Sequence, residues 1–204
     1  MWRATILAMA QAARRRMTVE EYLALEETAS ERHEFLDGEI YAMSGGTAAH
    51  DDLSVAMGVQ LHAALRGRPC RAGGSNMRLK SLETGVYTYA DAYVACDRRF
   101  EDETRTTLLN PRVVVEVLSE GTEAYDRGDK FAHYRSIPSI TDYVLVATTA
   151  RRVEVYTRRA TTWELAIYSA GDTMRLASLD IGLHLDAIYE GIELDPPRHA
   201  AGVE

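Results

Sequence analysis

Apolar residues recur along this chain at two spacings, and each spacing predicts a different secondary structure. Recurrence at every third or fourth residue is typical of a helix, and it covers residues 48–66, where one face would carry Leu53, Met57, Leu61 and Leu65. Alternation with polar residues, or a short apolar run, predicts strands. Such stretches cover residues 76–82, 86–96, 113–118, 142–147, 152–157 and 163–168.

Local motifs mark the ends of the first elements. The Thr-Val-Glu-Glu sequence at residues 18–21 matches a capping box, so we expect a helix to start there and run to about Glu27. The pair Asp37 and Gly38 predicts a tight type I′ turn between two alternating arms. Residues 33–43 are therefore expected to form a β-hairpin.

The order of these elements predicts the fold class. A hairpin is followed by a helix, three strands, a second helix that begins near residue 124, a strand and a hairpin. Strands outnumber helices, which predicts a mixed β-sheet with helices packed on it, in the α/β or α+β class. We interpret residues 17–194 as one domain, residues 1–16 and 195–204 as flexible extensions, and Met17 as a candidate start.

Composition narrows the class of protein. The 204-residue chain is 46% hydrophobic and 26% charged, as in ordinary globular proteins, and its net charge is −8. That charge argues against coating nucleic acid by bulk electrostatics, although a local basic patch could still grip it. No apolar run reaches the roughly 18 residues that span a bilayer, so no membrane partner is expected.

The two cysteines, Cys70 and Cys96, lack CxxC spacing and indicate neither a zinc site nor a disulfide framework. We therefore expect the protein to be in a reducing cytoplasm.

Two carboxylates stand out because they lie inside apolar strands. Glu116 is in the middle of residues 113–118, and Asp91 lies among aromatic and aliphatic neighbours in residues 86–96. Side chains on paired strands lie within about 5 Å at Cβ, where two carboxylates repel each other. A shared proton, a basic partner or a divalent cation would relieve that repulsion. With oxygen ligands only, the cation would be Mg²⁺ or Mn²⁺.

Lys130 is the candidate third member of this site. The helix after Glu116 places Asp126, Lys130 and Tyr134 at successive i,i+4 positions, so the Lys130 ammonium could return to the end of the strand. There it could orient a water molecule or offset phosphate charge. Taken singly, each carboxylate is more typical of a solvated or arginine-paired position, and Lys130 of a surface lysine.

Four further residues are weaker candidates. Glu34 could add an acidic group near the metal, and His50 could help position substrate; a surface or helix-capping role is the alternative for each. Arg78 and Lys80 lie on one face of a predicted strand and could contact a phosphate backbone. Alternating basic residues on an exposed strand are also common without such a role.

The ordered set of motifs resembles the Uma2 family of restriction-endonuclease-like proteins in the PD-(D/E)XK nuclease superfamily. The resemblance extends from about Met17 to Leu194 and is carried by YADAYV at 89–94, VVVEVLS at 113–119, DRGDK at 126–130 and the EFLDGE hairpin at 34–39. It implies a central mixed sheet flanked by helices, with additional hairpins, and a metal ion at Asp91 and Glu116.

This chain departs from the superfamily pattern in two places. Ala90 replaces the proline that usually precedes the aspartate. Leu118 stands where the superfamily has its strand lysine, two residues after Glu116. The resemblance implies that the role of that lysine has moved to Lys130.

The leading hypothesis is a Mg²⁺-dependent endonuclease that hydrolyses phosphodiester bonds in DNA. Two alternatives stay open: a nuclease fold that no longer cuts and serves as a binding module, and a metal-dependent hydrolase with another substrate. A homodimer would suit the leading hypothesis, because two active sites can cut both strands of a duplex.

Overall fold

The computed structural model describes residues 16–43 and 45–196. The contacts within the chain divide it into two compact units, residues 1–43 and 44–204. Our predictions for residues 1–15 and 197–204 lie outside the described residues.

The N-terminal unit contains a capped helix and a hairpin: α1 (Val19–Glu26), β1 (His33–Leu36) and β2 (Glu39–Ala42). Thr18 Oγ1 accepts from the Glu21 N–H at 3.2 Å, and the Glu21 carboxylate accepts from the Thr18 N–H at 2.9 Å, which confirms the capping box. Asp37 and Gly38 both have positive φ, at 49° and 82°, as a type I′ turn requires.

The second unit contains the remaining described elements. Its helices are α2 (Ala48–Ala64), α3 (Glu123–Arg127), α4 (Asp129–Arg135) and α5 (Leu185–Ile188). Its strands are β3 (Cys70–Gly74), β4 (Arg78–Lys80), β5 (Tyr87–Tyr89), β6 (Ala92–Cys96), β7 (Thr107–Leu108), β8 (Val113–Leu118), β9 (Asp142–Ala147), β10 (Arg152–Arg158), β11 (Trp163–Ser169), β12 (Thr173–Leu176) and β13 (Ile181–His184).

A six-stranded mixed sheet, in the order β11-β10-β9-β8-β6-β3, organises this unit. β8 runs parallel to β9 and antiparallel to β6. Val113, Val115 and Val117 belong to one buried cluster with the apolar face of α2, whereas Val114 and Leu118 belong to a second cluster with Phe131 and Tyr134 of α4. Helices therefore flank the sheet on both faces, which confirms the predicted fold class.

The single strand predicted over residues 86–96 is wrong, because the chain changes sheets within it. β5 pairs with β4, which also pairs with β7, whereas β6 belongs to the six-stranded sheet. Ala90 and Asp91 form the link between the two strands. An alternating pattern continues across such a link, so the pattern could not reveal it.

The sequence did not indicate the disulfide bond that the structure contains. Cys70 lies directly opposite Cys96 in the antiparallel β3–β6 pair, with the two Cα atoms 4.1 Å apart, and a disulfide joins them. The Cys-Arg-Ala-Gly-Gly sequence of β3 has little strand character, so this pairing could not be predicted from spacing. Within residues 16–43 and 45–196, no helix is both long enough and apolar enough to cross a membrane.

Candidate active site

Asp91 and Glu116 lie side by side where β6 begins. The β6–β8 register pairs Ala92 with Val115, and extending it by one residue places Asp91 beside Glu116. Asp91 Oδ2 accepts from the Val117 N–H at 2.7 Å, which fixes its carboxylate against β8. Glu116 is only 3% exposed. The two carboxylates predicted to meet on neighbouring strands are thus brought together.

Lys130 returns to the same place from the helix after β8. Its Nζ lies 3.0 Å from Glu116 Oε1 and donates to the Tyr89 carbonyl oxygen at 3.0 Å. Only 9% of its side chain is exposed. A buried ammonium requires charge or hydrogen-bond partners, and here they come from β8 and from the end of β5. The structure therefore places Lys130 beside Glu116, and its role in catalysis stays a prediction.

Sequence reasoning did not assign Asp126 and Tyr134 to the site. The Tyr134 hydroxyl donates to Glu116 Oε1 at 2.8 Å, and Asp126 Oδ1 lies 3.7 Å from Lys130 Nζ. The sequence feature that could have identified them is the i,i+4 spacing that also singled out Lys130. That spacing shows that side chains share a helix face, and only the packing of α4 on the sheet shows that this face is buried.

His50 reaches the site from the first turn of α2. The N-cap Thr47 accepts from the His50 N–H at 3.2 Å, and His50 Nε2 lies 3.4 Å from Asp91 Oδ2. Its contact with the Asp91 carboxylate raises the pKa of His50 above 6.5, although burial opposes the charged form. The structure thus places this predicted supporting residue beside Asp91.

Arg78 and Lys80 do not lie on the exposed strand face that we expected. Arg78 is 9% exposed and donates to the hydroxyl groups of Thr106 and Thr107. The Lys80 ammonium pairs with the carboxylate of Glu101. β4 is covered rather than exposed, so both cations are bound within the fold, and contact with a phosphate backbone stays a prediction.

Glu34 lies in the N-terminal unit, on β1, opposite Tyr41 of β2. It is 8% exposed. Its predicted place near a metal ion stays a prediction.

The donor set fits a hard divalent cation that keeps some of its water. Both contacts made by the Asp91 carboxylate are on Oδ2, so within the described part of the chain Oδ1 has no hydrogen bond or ion pair. The described residues contain no group of three His, Cys, Asp or Glu side chains arranged to hold a metal ion. Mg²⁺ is usually held by one or two carboxylates, with water and substrate phosphates completing its coordination. Asp91 and Glu116 match that arrangement, whereas a closed structural site would need more protein ligands.

Comparisons with known proteins agree with this architecture. The model of the Uma2 family, described as "Putative restriction endonuclease", matches residues 19–187. Two uncharacterized proteins of Synechocystis sp. are similar to this chain. One, slr1290, is 38% identical over 178 residues, covering 87% of this chain and 93% of its own length. The other, sll1609, is 35% identical over 141 residues, covering 69% and 80%.

A solved structure has the same fold. It is the crystal structure of a "putative nuclease belonging to DUF820" from Anabaena variabilis, with a TM-score of 0.70 and 16% identity. The match covers 85% of this chain and 97% of that one.

Proposed function

The chain belongs to the Uma2 family, and from that premise and the geometry of the site we propose that it is a Mg²⁺-dependent endonuclease that hydrolyses phosphodiester bonds in DNA. The family and the fold support a nuclease. The observation that carries the finer proposal is the convergence of Asp91, Glu116 and Lys130 where β6 begins.

Each of these side chains has a defined part in the proposal. Asp91, through Oδ1, and Glu116 would hold the cation. A bound Mg²⁺ or Mn²⁺ would supply Lewis-acid stabilisation of phosphoryl oxygens and a more acidic water molecule. Lys130 would hold its positive charge beside Glu116, where it can donate a hydrogen bond to a phosphate oxygen or to water.

In this proposal Lys130 takes the role of the superfamily's strand lysine, which is absent at position 118. Leu118 is 4% exposed and belongs to the apolar cluster that includes Phe131. An ammonium there would be buried among apolar side chains, which is costly. Lys130 instead brings its ammonium to Glu116 from the helix side, so a cation is kept at the site without one on the strand.

The test is cleavage of supercoiled plasmid by purified protein in Mg²⁺ or Mn²⁺, beside Asp91→Ala and Glu116→Ala. A metal ligand contributes several kcal/mol to the transition state, so each variant should nick at least about a hundredfold more slowly. Asp129→Ala, an exposed aspartate on α4, is the matched control and should nick like wild type.

Equal nicking by wild type and both variants would show that this site cuts no DNA. A protein that cleaves no plasmid but binds metal would favour a hydrolase with another substrate. A protein that cleaves no plasmid and binds no metal would favour a binding module. The homodimer and the cytoplasmic location stay predictions that accompany the proposal.

A further inference from the structure

One face of the α3–α4 segment carries three polar side chains that are almost completely buried. Asp126 is 3% exposed, Lys130 7% and Tyr134 0%. They are spaced four residues apart, across the break at Gly128 that separates the two helices. Burying a carboxylate, an ammonium and a phenol together is costly unless each is paired. The hydrogen-bond and ion-pair partners of these three side chains therefore indicate their role.

The Tyr134 hydroxyl and the Lys130 ammonium meet at the same atom. Both contact Glu116 Oε1, at 2.8 Å and 3.0 Å. Two donors that contact one oxygen atom restrict rotation of the carboxylate about its last torsion angle, which is otherwise broad. The ring that carries the hydroxyl is itself held, because it packs against Tyr143 with centroids 5.4 Å apart.

Asp126 forms an ion pair with the lysine. Its Oδ1 lies 3.7 Å from Lys130 Nζ, and its own main-chain oxygen accepts from the Tyr143 hydroxyl at 2.8 Å. A lysine has a flexible four-carbon chain and loses much side-chain entropy when it is fixed. Here the Tyr89 carbonyl, Glu116 and Asp126 surround the ammonium with acceptors before any substrate is bound.

We infer that Tyr134 and Asp126 are positioning residues: Tyr134 sets the orientation of the Glu116 carboxylate, and Asp126 sets the location of the Lys130 ammonium. Neither needs to touch DNA or metal. The effect on cleavage rests on the proposed function, whereas the positioning of Lys130 can be measured without it. Partners of this kind typically change activity about 10- to 100-fold when they are removed.

The first variant is Tyr134→Phe, compared with Tyr189→Phe. Both tyrosines are fully buried, but the Tyr189 hydroxyl donates to the carbonyl groups of Ala147 and Arg152 instead of to the site. Each variant loses one buried hydroxyl, so both should lose thermal stability. Only Tyr134→Phe should lower kcat for plasmid nicking, by about tenfold with little change in KM.

The second variant is Asp126→Asn, compared with Asp129→Asn on the exposed side of the same segment. Both remove one negative charge, so bulk electrostatics change equally. The readout is the ¹H–¹⁵N NMR signal of the Lys130 ammonium, which burial should make visible in wild type by slowing exchange with water. Asp126→Asn and Tyr134→Phe should broaden or abolish that signal, and the two control variants should keep it.

Two results would overturn the inference. One is a Lys130 signal absent from wild type, which would show a mobile ammonium. The other is a signal and a kcat that match the controls in both site variants, which would make Asp126 and Tyr134 structural only. If wild type cuts no DNA, the proposed function fails, and the NMR comparison still decides whether Asp126 holds the Lys130 ammonium directly and whether Tyr134 supports it through Glu116.

Discussion

Gly46 lies just before the N-cap of α2, and His50, four positions later, lies in the first turn of that helix. The His50 ring occupies the space that a side chain at position 46 would need. A Cβ atom built on Gly46 would lie 2.7 Å from Cγ and Nδ1 of the His50 ring. That is closer than real Cβ contacts, so the ring would have to move. The same ring contacts Asp91 through Nε2, and the absence of a side chain at position 46 therefore matters to the site.

We expect Gly46→Ala to displace the His50 ring and weaken its contact with Asp91. That contact raises the pKa of His50, so in the variant the pKa should fall back toward 6.5. NMR titration of the histidine ring in metal-free buffer measures the pKa of His50.

The matched control is Gly58→Ala, within α2, where an added Cβ meets nothing within 4 Å. It should leave the pKa of His50 unchanged and stabilise α2 by about 0.5–1 kcal/mol. An unchanged His50 pKa in Gly46→Ala would show that the glycine is not needed for this contact.

Some residues of the candidate site could be identified from the sequence, and others could not. Asp91 and Glu116 could be identified because a charge inside an apolar strand interrupts a regular pattern. Tyr134 and Asp126 could not be assigned to the site, because polar residues at helical spacing are equally typical of a solvated face. The exposure expected for Arg78 and Lys80 was wrong for a related reason, since alternation shows that two side chains share a face and not that the face is open. Their contact with a phosphate backbone stays a prediction.

At the scale of elements, one ion pair ties α3 to the six-stranded sheet. The Arg127 guanidinium makes a bidentate contact with Glu154 of β10, at 2.6 and 2.9 Å. This contact lowers the pKa of Glu154 below its ordinary 4.5, with burial acting in the opposite direction. Since the unfolded chain binds the proton more tightly, the pair stabilises the fold above pH 4.5, and the contribution is lost as the pH falls through the lowered pKa.

We therefore expect Glu154→Gln to lower the free energy of unfolding by about 1.5–3 kcal/mol at pH 7, as is usual for hydrogen bonds to charged groups. The difference from wild type should shrink at acid pH, where Glu154 of the wild type is also neutral. Urea unfolding of wild type and variant at pH 7 and at acid pH measures this difference in the free energy of unfolding.

Glu164→Gln on β11 is the control, because Glu164 pairs with Arg159 on an exposed part of the same hairpin, with side chains 62% and 51% exposed. Exposed pairs contribute about 0–1 kcal/mol. A Glu154 variant that behaves like this control at pH 7 would contradict the role given to the Arg127 contact.

The Cys70–Cys96 bond gives a second prediction at this scale. Protein purified without reductant should show no reactive thiols, and two after reduction in denaturant. The bond closes a segment with a sequence separation of 26. The free energy of unfolding of the double variant Cys70→Ser/Cys96→Ser should therefore be about 2–4 kcal/mol lower than that of wild type. Free thiols in the native, unreduced protein would contradict the pairing.

The sequence predicted most elements of this fold and missed the links between some of them. Helix α2 and strands β8 and β9 could be predicted because each has a long, clear pattern. The β5–β6 break and the pairing of β3 depend on contacts with distant strands, which local patterns do not encode. The helix expected after residue 124 is divided at Gly128, where φ and ψ are −108° and −98°.

At the scale of the whole molecule, the site depends on where β8 lies. Residues on both of its faces are buried under helices, and this is why every residue of β8 except Glu116 is apolar. The fold class could therefore be predicted from the number and type of elements. The strand order could not, because the parallel β8–β9 pair and the antiparallel β6–β8 pair join parts of the chain that are distant in sequence.

The most direct test of the central claim, that Asp91 and Glu116 hold a divalent cation beside Lys130, is calorimetric titration of Mn²⁺ into metal-free protein. We predict binding at one site in wild type, and an affinity lower by at least about tenfold in Asp91→Asn and in Glu116→Gln. Asp129→Asn should bind like wild type. Absence of Mn²⁺ binding in wild type, or equal affinity in all four proteins, would contradict the claim.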